Sequence, residues 1–288
     1  YGMLFNDTRV NAISSYSPRC VMSMYEFTHQ LDRLNNHIEI TTSSGRQNSP
    51  LMRPFDLDSD FIEWAKNGDW KAAYKMQFET MMPTAPARKL FKSEYAKEMT
   101  NDDARKVSYH AFKLLQGLSA MGLPSKMERY FTREEANQAW SCTNLSHYLE
   151  RTASTLSTLP AEIAAPLLTD LLTTAEAAVE GKQQYAVMLR FGHAETLMPL
   201  LSLMHLDGCY YLTNYFDTVA LHWKDFHVVP MASNLQMILV KSKSGKMYVR
   251  LDLNERPIPR LPGSDIIYTP WEQAREYLLR CIPLHLRP

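Results

Sequence analysis

The chain has 288 residues, 45% of them hydrophobic, and its 31 basic side chains are balanced by 31 acidic ones. This balance argues against a protein that holds nucleic acid by bulk charge, and no stretch approaches the ~20 apolar residues of a membrane-spanning helix. The length predicts roughly one to two domains around a substantial core.

The N-terminal part of the chain predicts a strand followed by a helix. Residues 8–14 alternate polar and apolar side chains, which is typical of a half-buried strand. Residues 20–34 carry apolar side chains at helical spacing, just after Pro18, a residue tolerated in a first helical turn. A short β-like run at 37–41 then leads into a polar loop.

Residues 58–181 predict an almost wholly helical block, because they are rich in Ala, Leu, Met, Lys and Glu. Several helix starts are marked by capping residues, namely Asp58, Asp69, Thr100 and Thr132. Glu135 completes a capping box with Thr132.

Strand patterns return after the helical block. Residues 185–191 form a near-continuous apolar run, which predicts a buried strand, and a helix follows at 196–204. Residues 235–241 and 247–253 flank the turn segment SKSGK, which indicates a hairpin, and residues 271–281 predict a final helix.

Sheet-forming material therefore lies at both ends of the chain, with helices between. We predict an α/β domain made of residues 1–43 and 184–288, interrupted by an α-helical cap insertion at 44–183.

The four cysteines, Cys20, Cys142, Cys209 and Cys281, lie far apart in the sequence. No pair has CxxC spacing and none lies beside a histidine in a zinc-ligand pattern, so we predict buried thiols and no zinc site. A disulfide between Cys209 and Cys281 stays open for an oxidising compartment.

Two predicted strand ends carry side chains suited to an oxyanion. His193 and Glu195 follow the strand at 185–191 at a helix start, where α/β sheets bind ligands and helix N–H groups favour anions. Arg19 lies in the first turn of the helix after the strand at 8–14, where its charge opposes the helix dipole unless an anion is bound. The alternative is a helix-capping Glu195 beside a buried structural His193. Both strand ends taken together favour an oxyanion pocket.

Four segments of the chain carry the motifs of a known family. The run LRFGHAETLMPLLSLM at 189–204 closely resembles the HAETL-x-PLLSL signature of multiple inositol polyphosphate phosphatases, in the histidine acid phosphatase clan. SYSPRC at 15–20, LMRPFD at 51–56 and VPMASN at 229–234 resemble its SxxxRC, LMRxFD and VPxASN segments. The matches follow the family's order, so the resemblance implies a histidine-phosphatase-like sheet flanked by helices, with an inserted α-helical cap domain.

The resemblance also implies an activity and a set of roles. Family members hydrolyse phosphomonoesters of inositol polyphosphates, including phytate, through a phosphohistidine and without a metal or other cofactor. By this resemblance Arg19 clamps the transferred phosphoryl group, His193 binds it, and Glu195 protonates the departing inositol oxygen. Arg53 matches a contact to the phosphates that do not react, with a surface arginine as the alternative. A periplasmic, secreted or secretory-lumen location is implied in the same way.

Three further basic residues, Arg46, Lys241 and Arg260, could also line a pocket for the non-reacting phosphates, but no sequence pattern positions them, so they are expected at the solvated surface.

The family's nucleophile lies in an N-terminal RHGxRxP motif, and none of the nine histidines here follows an Arg and precedes a Gly. One interpretation places the nucleophilic histidine upstream of Tyr1, in a longer chain or in a separate N-terminal polypeptide. A second is a relative that binds inositol phosphates without hydrolysing them, and a third is a structural protein that kept the fold. The presence of Arg19, His193 and Glu195 together speaks against the third.

Overall fold

The computed structural model describes residues 8–259 and 263–287. Its strands are β1 (Arg9–Ser14), β2 (Glu39–Ser44), β3 (Val187–Phe191), β4 (Leu235–Lys241), β5 (Met247–Leu253), β6 (Arg256–Ile258) and β7 (Thr269–Pro270). Its helices are α1 (Pro18–Leu34), α2 (Ser49–Met52), α3 (Ser59–Asn67), α4 (Trp70–Met81), α5 (Ala85–Leu90), α6 (Ser93–Glu98), α7 (Asn101–Ala120), α8 (Met127–Tyr130), α9 (Arg133–Arg151), α10 (Leu159–Glu162), α11 (Ala165–Val179), α12 (Ala194–Leu203), α13 (Val219–His222), α14 (Asp225–Val228) and α15 (Trp271–Cys281). The mixed α/β fold, with sheets flanked by helices, is confirmed.

Strand β1 is the centre of a parallel sheet in the order β2–β1–β3. In its register Ser14 lies opposite Ser44 of β2 and Phe191 of β3, so the three strands end at one edge. Burial alternates along β1, with Val10 and Ala12 at most 1% exposed, which confirms the predicted half-buried strand. Polar side chains that follow β1 and β3 are therefore brought to the same place.

Strand β3 differs from the expectation of a buried strand. All five of its residues are only half-buried. Within the described residues β3 pairs with β1 alone, so the apolar run lies at an edge of the described sheet, where side chains keep more contact with solvent.

The helices between β2 and β3 confirm the helical block, and α3, α7 and α9 begin at capping residues that the sequence predicted, whereas Asp69 precedes α4 without a side-chain cap hydrogen bond. Asp58 accepts a hydrogen bond from the Phe61 N–H at the start of α3. Thr132 and Glu135 form the capping box of α9. These caps satisfy N–H groups that a helix leaves without an internal partner.

The main hydrophobic core joins the helical block to the rest of the fold. It includes side chains from α9, α11 and α12 as well as β5 and α15, and Leu145, Leu168 and Leu201 in it are fully buried. A smaller cluster around Phe112 and Phe131 packs α7 against α9. The domain boundaries at 43/44 and 183/184 stay a prediction.

The C-terminal part confirms the predicted hairpin and final helix. β4 and β5 pair antiparallel from Leu235 opposite Leu253 to Lys241 opposite Met247. α15 begins at Trp271, as the sequence predicted. None of the helices in the described ranges is long and apolar enough to cross a membrane.

The cysteines of the core are buried thiols. Cys20, Cys142 and Cys209 form no disulfide, so the open Cys209–Cys281 pairing is not made. Burial raises the pKa of the Cys142 thiol to about 12, and burial together with the charge of Asp207 raises that of Cys209 to about 12.

Candidate active site

Arg19 and His193 meet at the edge where β1 and β3 end. Arg19 lies in the first turn of α1, and His193 immediately precedes α12. Arg19 Nη2 lies 2.9 Å from His193 Nδ1. Because both helices begin here, the positive ends of their dipoles lie at the site. The structure thus joins two of the predicted site residues.

Arg53 is the third member of this cluster, and it is not a solvated surface arginine. Its Nη1 lies 2.8 Å from His193 Nε2, and its Nε donates to Asp56 Oδ2 at 2.6 Å. The rings of Tyr16 and Phe55 lie 5.0 and 4.9 Å from its guanidinium carbon. Burial acts to lower the pKa of Arg53, but the hydrogen bond and charge of Asp56 outweigh it and raise that pKa.

His193 has a guanidinium group against each of its ring nitrogens. A neutral imidazole accepts at only one nitrogen, because the other carries a proton, so Arg19 and Arg53 cannot both donate to it. Burial, then the charges of Arg53 and Arg19, lower the pKa of His193 against the opposing charges of Glu195 and Asp56, which favours the neutral ring. The two guanidinium groups therefore offer more hydrogen-bond donors than the one acceptor nitrogen of the ring can take. An oxyanion against the ring would accept from both arginines.

Ser15 and Cys20 support the imidazole, and reasoning from sequence did not select them. Ser15 Oγ lies 3.1 Å from His193 Nε2. Cys20 Sγ donates to the Gly192 carbonyl at 2.9 Å and lies 3.6 Å from the same Nε2. Both belong to the SYSPRC segment, which resembles the family's SxxxRC motif, but the resemblance implies a role for Arg19 alone.

Thr196 fixes the start of α12 against α2. Its Oγ1 donates to the Met52 carbonyl at 2.6 Å and accepts from the His193 N–H at 3.3 Å. A Cβ on Gly192 would lie 3.2 Å from this Oγ1, so glycine leaves the contact undisturbed. Because Met52 precedes Arg53, this bond couples the positions of Arg53 and His193.

Glu195 lies in the first turn of α12 and is half-buried. Its charge acts on the His193 ring, which places the carboxylate near the site. Among the described residues this carboxylate makes no hydrogen bond or ion pair. Its role as an acid stays a prediction. In the same part of the chain no group of three or more His, Cys, Asp or Glu side chains is arranged to hold a metal ion.

Arg46 lies closer to the site than the sequence suggested. It is exposed, as expected, but its guanidinium carbon lies 4.8 Å from the centroid of Tyr16, the ring that Arg53 also contacts. Lys241 is exposed at the end of β4, as expected. Arg260 lies outside the described residues.

Arginine side chains thus lie at the carboxyl edge of a parallel sheet in an α/β fold, a geometry that suits an oxyanion. Residues 1–254 match the Histidine phosphatase superfamily (branch 2), so the chain belongs to that superfamily.

One curated protein is similar to most of this chain. The chain is 29% identical over 227 residues to human multiple inositol polyphosphate phosphatase 1, a match that covers 74% of this chain and 46% of the relative. The chain therefore spans about half the length of that curated protein.

Solved structures show the same fold. The multiple inositol polyphosphate phosphatase of Bifidobacterium longum, in complex with inositol hexasulfate, matches with a TM-score of 0.78 at 16% identity, covering 98% of this chain and 75% of that one. The phytase from D. castellii matches with a TM-score of 0.67 at 16% identity, covering 98% of this chain and 60% of that one.

Proposed function

We propose that this protein hydrolyses phosphomonoesters of inositol polyphosphates, such as phytate. The observation that carries the proposal is the pair of guanidinium groups, Arg19 and Arg53, set against the two nitrogens of His193, which places more donors there than a neutral ring can accept from and so suits an oxyanion. The names of the relatives support the substrate class, as does the complex of the B. longum protein with inositol hexasulfate.

The proposed reaction passes through a phosphohistidine. A nucleophilic histidine attacks phosphorus while Arg19 and Arg53 neutralise charge on the phosphoryl oxygens and the neutral His193 ring hydrogen-bonds to them. Arg53 is thereby proposed to contact the reacting phosphate, in place of the contact to non-reacting phosphates that the resemblance implied. The P–O bond to inositol breaks as Glu195 gives its proton to the leaving oxygen, because an inositol alkoxide is a poor leaving group. Water then gives a proton to the Glu195 carboxylate as its oxygen attacks phosphorus and the P–N bond breaks, which releases inorganic phosphate and restores both the histidine and Glu195.

The nucleophilic histidine is proposed to come from upstream of Tyr1, in the same or a separate polypeptide. All nine histidines of this chain fall within the described residues, and of these only His193 contacts Arg19 or Arg53. The edge of β3 that no described strand pairs ends beside His193. A further parallel strand on that edge would bring its carboxyl end to the site. From the family similarity we also propose a periplasmic, secreted or secretory-lumen location.

A second candidate is an inositol-phosphate-binding relative without catalysis. It is favoured by the fact that the cluster formed by the described residues contains one histidine and not two. The two candidates share the binding site and differ only in whether phosphate is released.

The first experiment combines an intact mass of the denatured protein with a phytate phosphate-release assay on the same preparation. We expect activity together with a polypeptide heavier than the 33.2 kDa of this chain, or a second small one beside it. A single 33.2 kDa species that binds phytate and releases no phosphate would establish the binding relative instead.

The acid role of Glu195 is tested by its leaving-group dependence. In the active protein, Glu195→Gln should slow release from phytate by about 10²–10⁴-fold, because a poor leaving group needs the proton, and should slow release from an activated aryl phosphate far less. The matched control is Glu26→Gln, an exposed position on α1. Equal losses on both substrates would contradict the role.

A further inference from the structure

The exposed guanidinium of Arg46 has no carboxylate partner among the described residues, and the proposed reaction does not use it. Its one described contact is the face of Tyr16, at 4.8 Å from the ring centroid. An arginine stacked on a ring keeps its N–H edge free for an anion, since stacking engages the plane of the guanidinium and not its donors.

The turn that carries Arg46 is fixed to the sheet. Gly45 begins it with φ +149° and ψ −177°, a conformation that only glycine adopts readily. Asn48 ends it, and its Nδ2 donates to the carbonyls of Ser14 at 2.9 Å and Ser43 at 3.2 Å. Arg46 therefore extends from a pre-formed turn at the same sheet edge as His193, which lowers the entropic cost of holding a ligand there.

Tyr16 links Arg46 to the proposed phosphoryl clamp. Arg46 and Arg53 lie 4.8 and 5.0 Å from the centroid of this one ring, so their guanidinium carbons are within about 10 Å of each other. The Tyr16 hydroxyl donates to Asp56 Oδ2 at 3.3 Å, the oxygen that also accepts from Arg53. Arg53 has its own counter-ion in Asp56, whereas Arg46 has none among the described side chains.

We propose that Arg46, stacked on Tyr16, forms a second anion subsite that binds a non-reacting phosphate of a polyphosphorylated ring while its reacting phosphate occupies the Arg19–His193–Arg53 cluster. The inference rests on the proposed function, because it takes that cluster as the reacting subsite. Arg46 would then determine the preference for polyphosphates over simple phosphate.

The test is isothermal titration calorimetry of the purified protein with inositol hexakisphosphate and, separately, with inorganic phosphate. Arg46→Gln should weaken hexakisphosphate binding about five- to twentyfold, as expected for one charge-assisted contact, and change phosphate binding less than twofold. Arg53→Gln should weaken both ligands. Arg33→Gln is the matched control, since Arg33 is exposed near the far end of α1, about 20 Å from Arg19.

Tyr16 provides a second pair of variants. Tyr16→Leu removes the ring on which Arg46 stacks and should lose most of the same preference, whereas Tyr16→Phe keeps a ring and should retain it. The loss from Arg46→Gln should also shrink as salt is raised, because the contact is exposed.

These measurements distinguish a failure of the Arg46 subsite from a failure of the proposed function. Equal weakening of both ligands by Arg46→Gln, or of neither, overturns the second subsite and leaves the proposed function standing. Failure of the wild-type protein to bind either ligand overturns the proposed function, and the subsite with it.

Discussion

The Asp225 carboxylate joins α9 to the segment that follows α13, and it predicts a pH-dependent stability. Its Oδ2 lies 2.9 Å from His147 Nδ1, and its Oδ1 accepts from Trp140 Nε1 at 3.0 Å and from the Phe226 N–H at 2.8 Å. The side chain is 13% exposed. Three donors therefore converge on one largely buried carboxylate.

These contacts set the sign of the pH effect. Burial acts to raise the pKa of Asp225, but the hydrogen bonds from His147 and Trp140 outweigh it and hold that pKa below its ordinary value. A pKa that is depressed in the folded state stabilises the protein above the unfolded pKa, near 3.9, and this stabilisation is lost as the pH falls through the folded value.

Asp225→Asn keeps the shape of the side chain but replaces one acceptor oxygen by a donor that faces other donors. Hydrogen bonds to a charged group contribute about 1.5–3 kcal/mol each, and partial compensation leaves an expected loss of about 2–4 kcal/mol at pH 7. At about 2 °C per kcal/mol for a chain of this size, the melting temperature should fall by about 4–8 °C.

The assay is thermal unfolding followed by circular dichroism, in steps from pH 7 to pH 3, for wild type, Asp225→Asn and the exposed control Asp32→Asn. The difference in stability between wild type and Asp225→Asn should have its full size above about pH 5 and should become smaller below about pH 4. A stability difference of equal size at all pH values, or one of less than about 0.5 kcal/mol at pH 7, would refute the reasoning.

Two shorter predictions concern other buried groups. Thr196→Val deletes the hydroxyl that hydrogen-bonds to the Met52 carbonyl and the His193 N–H. It should lower the free energy of unfolding, measured in urea, by about 1–3 kcal/mol and should weaken phosphate binding. Stability and affinity like those of the exposed control Thr80→Val would contradict this prediction. The thiols of Cys142 and Cys209, with pKa values raised to about 12, should remain unmodified by iodoacetamide at pH 7.5 in the native protein and react in urea, as counted by mass spectrometry; adducts on the native protein would disprove this.

Local sequence signals predicted the elements well, because the physics of those elements is local. The alternation of residues 8–14 and the capping box at Thr132 each depend on neighbours within a few positions, and both appear in the structure. The half-burial of β3 depends instead on which strand lies beside it, a fact that its own apolar run does not contain.

The site residues, too, include some that local sequence patterns identify and others that depend on tertiary contacts. The strand-end pattern and the family motif identified Arg19 and His193, which do meet. The sequence left the position of Arg53 open and placed Arg46 at the surface, because both depend on a tertiary contact with Tyr16. An aromatic ring shared by two arginines leaves no periodic trace in the sequence.

The parallel pairing of β1 with β3 has a consequence for how the protein folds. Arg19 and His193 are 174 residues apart in the chain, and Arg53 and His193 are 140 apart. Closing a loop of that length costs about 4–5 kcal/mol in chain entropy, and it must close before any of these groups meet. The proposed anion site therefore forms only in molecules whose distant segments have already docked. Phosphate bound there would report on completion of the fold and, by mass action, would shift the folding equilibrium toward the folded state.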